Sequence, residues 1–192
     1  WRPAAHKLGR MENSVMKVAI IGAGPRGLWA SEELMERARE RGAAIDVTVF
    51  DAKPLEESSA PGAFRDSVPE EFILNAPKSI VETKLGPLDP NDELPGDFPS
   101  RRHVGEHLDA SWRALEENLP PRCSLTHRVA NIEMVEPTDD GVVVLGEHYD
   151  EVLMVTGHAH DWPGSLAHAD LGDFKVVAPA YPASNLDAVG SD

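Results

Sequence analysis

The stretch from Lys17 to Leu28, reading KVAIIGAGPRGL, constrains the fold of this chain more than any other. An apolar run, Val18 to Ile21, stops at Gly22. The residues Gly22-Ala23-Gly24-Pro25-Arg26-Gly27 spell G-x-G-x-x-G, and a helical pattern begins at Leu28. Glycines at this spacing permit a tight turn, close approach of backbone to a pyrophosphate, and close packing of helix on strand. The N-terminus of the helix offers unpaired N–H groups and partial positive charge to a phosphate. Pro25 suits the first helical turn, where its missing N–H costs nothing. A second apolar strand, Asp46 to Phe50, ends in Asp51. That acid lies slightly beyond the spacing of about 20 residues at which a carboxylate meets a ribose 2′-hydroxyl. A glycine-rich turn alone is common in α/β domains. The ordered set of strand, turn, helix, strand and acid points to a bound dinucleotide.

The chain has 192 residues, 41% of them hydrophobic, which suits one ordinary domain with a real core. Its formal net charge of -15, from 33 acids against 18 Lys and Arg, repels polyanions. Neither nucleic acid nor membrane is therefore expected as a partner. Cys123 is the only cysteine, so an intramolecular disulfide and a paired-cysteine redox centre within the chain are both excluded. The lone thiol reads as an inert strand residue. No apolar run approaches the roughly 18 residues of a membrane span. The first ten residues lack the apolar core of a secretory signal, and a cytoplasmic location is the default expectation. Residues 1–15 read as a tail or expression remnant, with natural starts at Met11 or Met16.

Helical periodicity from Leu28 to Arg41 puts Ala30, Leu34 and Ala38 on the inner face beside Met35, with Glu32, Glu36, Arg39 and Glu40 outward. Gly42 ends this helix, and Ile45 to Phe50 read as a strand covered on both faces. Between 54 and 100, recurrent prolines abolish regular periodicity, which marks a functional loop or disorder. Its middle, Phe64 to Lys78, is too apolar for a free linker; Asn75 is either an amide available to a ligand or a turn residue before Ala76-Pro77. The part from Gly86 to Gly96 reads as surface loop. A second helix runs from Ser100 to about Asn118, with Val104, Leu108, Ser111, Trp112 and Leu115 inward. Arg101 and Arg102 near its start read as solvated helix-end charges or contacts to phosphate. His103 and His107 share a face, but no third ligand stands at metal spacing, and no metal is expected. From Ser124 onward, short strands linked by turns imply a small antiparallel meander. The apolar run Val152 to Val155 then returns to the buried sheet and ends on Thr156-Gly157-His158.

Together these landmarks resemble the two-dinucleotide-binding-domain flavoproteins, in particular the bacterial FAD/NAD(P)-binding proteins related to amino-acid N-hydroxylases. The matching motifs are Val18 to Gly27, the acid Asp51, Phe72-Ile-Leu-Asn-Ala-Pro77, Phe98 to Leu108, and the meander returning to Val152-Leu-Met-Val-Thr-Gly-His158. The resemblance implies an α/β, Rossmann-like FAD-binding domain over residues 16–178, with a parallel central sheet plus a small antiparallel β-meander. Within it, residues 54–100 would be a Pro-rich cofactor and substrate loop, and 124–156 the meander and return strand. It further implies that Gly22, Ala23, Gly24, Pro25, Arg26 and Gly27 bind the FAD pyrophosphate and Asp51 the adenosine ribose. Val129 would meet the adenine through its backbone, Thr156 and Gly157 would line the cofactor, and Asn75 would approach the isoalloxazine. His158 either sits near the flavin or is an exposed turn residue. No second glycine turn for NAD(P)H follows Gly157, so residues 179–192 are expected to lead towards an NAD(P)-binding half or partner subunit outside this chain. The implied activity is that of an NAD(P)H-dependent flavin oxidoreductase, a monooxygenase acting on a small molecule, with no catalytic residue assigned. The alternatives are an NAD-dependent dehydrogenase and a non-catalytic FAD-binding or regulatory module.

Overall fold

The computed structural model describes residues 14–54, 64 and 72–157. The expected tail up to residue 13, most of the loop before Phe72, and everything from His158 onward lie outside the described residues. The chain order is β1 (Met16–Ile21), α1 (Pro25–Arg41), β2 (Ile45–Asp51), a 3₁₀ turn (Lys78–Ile80), β3 (Glu82–Thr83) and β4 (Gly86–Pro87). There follow α2 (Arg101–Glu117), β5 (Ser124–Val129), β6 (Val135–Pro137), β7 (Val142–Val144), β8 (Glu147–Tyr149) and β9 (Glu151–Met154).

Three layers result. The central sheet has four parallel strands in the order β5-β2-β1-β9. Alternation along the strands divides it cleanly. Val18, Ile20, Val47 and Val49 pack against Leu28, Met35 and Ala38 of α1 and Val104, Leu108 and Trp112 of α2. Ala19 and Phe50, from the other parity, pack against Val144 and Tyr149 of an antiparallel sheet ordered β6-β7-β8. Phe50 and Tyr149 meet edge to face with ring centroids 6.1 Å apart. Arg128 of β5 ties the two sheets: its guanidinium lies over the Phe50 ring, and Nη1 donates to Glu147 Oε1 at 2.6 Å.

The expected parallel sheet with a small meander is present, but its boundary differs. Ser124–Val129 joins the parallel sheet, with Asp46 to Asp51 opposite Ser124 to Val129 in register. The meander comprises only β6 to β8. Short strands and turns do not distinguish a strand that pairs with the next from one that returns to a distant partner. β9 also differs in burial. It pairs with β1 as expected, yet Leu153 and Met154 are exposed, because none of the described strands flanks its outer side.

The inward face of α1 is rotated from the one read by periodicity. Ser31 and Glu32 are buried, whereas Ala30 and Leu34 are only half-buried. Glu32 tolerates this position because Oε1 accepts from the Lys84 N–H at 3.0 Å, a partner supplied by the β3–β4 hairpin. Burial raises the Glu32 pKa, and that hydrogen bond opposes the rise. The hairpin is pinned on its other side by Thr83, whose Oγ1 lies 2.7 Å from Ser111 Oγ and 3.3 Å from His107 Nε2. The segment after it is more than surface loop. Lys78 Nζ reaches Asp89 Oδ2 at 2.8 Å, Asp92 Oδ1 at 2.6 Å and the Leu94 carbonyl at 2.7 Å.

Gly27 sets the spacing between α1 and β1. A Cβ built there would stand 2.1 Å from the Gly22 carbonyl oxygen, which is backbone and has no rotamer to yield. Gly27→Ala is therefore expected to destabilise the chain by about 3 kcal/mol, the upper end of ordinary overpacking. Urea unfolding checks this, and an unchanged midpoint would mean that the helix does not depend on that close approach.

Candidate functional site

Because all four central strands run parallel, their carboxyl ends lie on one edge, and four of the loops leaving that edge carry the residues singled out from the sequence. Gly22 follows β1, Asp51 ends β2, Val129 ends β5 and sits opposite Asp51, and Thr156-Gly157 lie just beyond β9. The strand order reverses direction in sequence between β1 and β9, the switch point at which open α/β sheets bind ligands.

At that switch point Gly22 has a φ of 114°, and a Cβ there would lie 2.5 Å from the Val155 carbonyl oxygen. Only glycine lets the two chains pass so closely. The contact is reinforced by the Val155 N–H, which donates to the Ile21 carbonyl at 2.9 Å, and by the Gly22 N–H, which donates to the Phe50 carbonyl at 2.7 Å.

Ala23, at the centre of the turn, is held from both sides. Its N–H donates to Asp51 Oδ2 at 2.9 Å, and its carbonyl accepts from Trp112 Nε1 at 3.2 Å. The second Asp51 oxygen accepts from the Lys53 N–H at 3.2 Å. A carboxylate has about four lone-pair sites, so Asp51 keeps acceptor capacity while its orientation is already set. Gly24 occupies the N-cap of α1 without a side-chain cap, Pro25 begins the helix, and no acid occupies the first turn. The edge thus combines an uncapped helix N-terminus, a backbone cradle too tight for side chains, and an acid at the neighbouring strand end. This set suits the pyrophosphate and ribose of a dinucleotide.

Arg26 is exposed on the first turn of α1. Asn75 is exposed and follows Leu74, which packs on the helix-side core and whose N–H donates to the Pro99 carbonyl at 2.8 Å. None of the hydrogen bonds described above joins Asn75 to the glycine turn. His158 lies outside the described residues. The two helix histidines are engaged elsewhere, His103 Nδ1 lying 3.1 Å from Ser100 Oγ and His107 against Thr83. Among the described residues no group of His, Cys, Asp and Glu could hold a metal ion, and no helix is long and apolar enough to cross a membrane. The Cys123 thiol, half-buried, donates to the Ala43 carbonyl at 3.6 Å. A cleft of about 360 Å³ between α1, α2 and the hairpin is lined by Glu32, Met35, Lys84 and Ser111, and no strand-end residue contributes to it.

Two residues of this region were not legible as site residues: Trp112, read only as inner-face packing, and His127. The usable signal was chemical, since a buried indole N–H must find an acceptor. His127 packs against Trp112 edge to face, with centroids 4.7 Å apart. Its Nε2 lies 3.3 Å from Glu116 Oε1 but has no hydrogen-bond partner. Burial pushes the imidazole pKa down, the Asp51 charge opposing, which favours the neutral ring; the Glu116 contact is an ion pair only when His127 is protonated.

The sequence profile of the FAD-NAD(P)-binding family matches residues 19–159, well over half of the chain. The chain is also 25% identical to the nitrosuccinic acid synthase of Aspergillus oryzae over 86% of its own length. It spans only 30% of that relative.

A depressed histidine pKa makes the unfolded chain take up the proton first. The stability associated with neutral His127 is fully present above about pH 6.5 and is lost as pH falls through the folded-state value. His127→Phe, which cannot titrate, should lose less Tm than the parent chain between about pH 7.5 and about pH 5.5. Equal losses would show that His127 does not titrate on unfolding. With the strand-end cradle, the clamped turn and the family match in place, this chain belongs to the FAD-NAD(P)-binding family.

Proposed function

We propose that the chain is the FAD-binding part of an NAD(P)H-dependent flavin monooxygenase. The observation that supports this reading is the Ala23 clamp at the switch point, where Asp51 and Trp112 hold the glycine turn from both sides. In this reading the amides at the start of α1 receive the FAD pyrophosphate, and Gly22 to Gly27 keep side chains out of its way. Asp51 accepts from the adenosine ribose through the lone pairs it retains. The Val129 backbone, at the adjacent strand end, faces the adenine, while Thr156 and Gly157 line the cofactor. Asn75 approaches the isoalloxazine.

Flavin, when bound, supplies the redox chemistry, and the protein groups orient it and shield it from water. Support for oxygen insertion comes from the relative's name, since a nitro product carries nitrogen–oxygen bonds. The NAD(P)H site is assigned to a region or partner outside these residues, which agrees with the small share of that relative that the chain spans. The substrate is a small molecule.

FAD titration followed by flavin fluorescence tests the cradle. The chain should bind FAD, and Asp51→Asn should weaken binding by about tenfold or more, the value of a lost charge-assisted hydrogen bond. Preferential binding of NADH over FAD would instead favour a dehydrogenase. For the reaction, the longest protein containing this sequence should couple NADPH oxidation to oxygen uptake and an oxygenated product. NADPH oxidation without such a product would leave an oxidoreductase and remove the monooxygenase.

A further inference from the structure

Trp112 is fully buried, and its indole N–H spans from α2 to the Ala23 carbonyl, a separation of 89 residues along the chain. An indole delivers a useful hydrogen bond only if its ring plane is held, because a small rotation swings Nε1 out of reach. Trp112 belongs to the buried helix-side core, together with Val47, Val49 and Leu108. The specific oriented contact is His127, whose ring meets it at an interplanar angle of 83°.

His127 is otherwise an expensive choice. It occupies a β5 position opposite Val49, on the parity that faces the helix layer, where Leu125 supplies apolar surface to the same core. Its Nε2 is buried 3.3 Å from Glu116 Oε1 without forming a hydrogen bond. A buried polar atom left unpaired costs free energy, and a leucine here would avoid that cost. What leucine cannot supply is a flat ring edge.

From these contacts we propose that His127 is a positioning residue for the cofactor turn. It fixes the Trp112 ring so that its N–H holds the Ala23 carbonyl, and with it the first turn of α1, in the geometry that receives the pyrophosphate. The groups facing the imidazole are Trp112 and Glu116 of α2 and, through its charge, Asp51 of β2. The inference rests on FAD binding at the strand ends but not on the reaction catalysed.

The test is a double-mutant cycle on FAD affinity, with near-UV circular dichroism of the cofactor-free chain as an independent report on Trp112. The background replaces Trp1, Trp29 and Trp162 by Phe, leaving Trp112 as the sole indole. Trp112→Phe removes the donor and should weaken FAD binding about fivefold, the loss of one hydrogen bond. His127→Ala should weaken it by a similar factor and diminish the Trp112 dichroism, and His127→Phe should restore both. Combined with Trp112→Phe, His127→Ala should add almost nothing, since both changes act through one contact.

Multiplicative losses in the double variant would overturn the proposal, as would parental affinity in His127→Ala. Should His127→Ala fail to fold, His127→Leu carries the same test: apolar packing without a ring edge should still lose affinity, and parental affinity would refute the role. Because the dichroism is read without FAD, a chain that fails to bind FAD is distinguished from one in which His127 does not hold Trp112.

Discussion

The structure depends on one peptide unit and its neighbour, those on either side of the Ala23 Cα. The N–H is taken by Asp51 from β2 and the carbonyl by Trp112 from α2, so strand end, turn and second helix are joined at a single residue. Around it the glycines act by absence. A side chain at Gly22 would strike the backbone after β9, and one at Gly27 would strike Gly22 itself. The turn is thus confined by contacts on one side and by backbone on the other, while the helix N-terminus lacks a side-chain cap. Preorganisation of this kind lowers the entropic cost of binding, because the cradle need not be assembled around the ligand.

The remaining layers serve that edge. The antiparallel sheet covers one face through Phe50, Val144 and Tyr149, and the two helices cover the other. The β3–β4 hairpin closes the seam between the helices with polar contacts. Glu32, Thr83 and Ser111 are all buried there and each is hydrogen-bonded. Lys84 extends the seam through its contact with Glu36. On the opposite side of β1, the exposed Leu153 and Met154 of β9 mark where the described sheet stops.

Much of the architecture was legible because its signals are local. Val18 to Ile21, the glycine turn and the acid at Asp51 fall within a short span, and each obeys a steric or electrostatic rule that acts on neighbours in sequence. The helix from Arg101 was readable from its apolar face, and the structure adds its Ser100 cap, which accepts from the His103 N–H at 3.2 Å. Legibility failed where a residue's environment comes from a distant segment. Glu32 looked solvent-facing by periodicity, and only the hairpin, 52 residues on, makes it a buried acceptor. Ser124 to Val129 looked like the start of a meander, because pairing with β2 rather than with the next strand is a property of topology. The bond from Trp112 to the glycine turn was hidden for the same reason, because the residue looked like core.

Amide hydrogen exchange with and without FAD tests the central claim most directly, since it reads the strand-end edge residue by residue. Slowed exchange on adding FAD at Gly24, Arg26 and Gly27, at Val129 and at Thr156-Gly157, with the helix–hairpin seam unchanged, is the result predicted. Protection centred instead on Glu32, Lys84 and Ser111, or none at the carboxyl ends of β1 and β9, would contradict the assignment of this edge as the dinucleotide site.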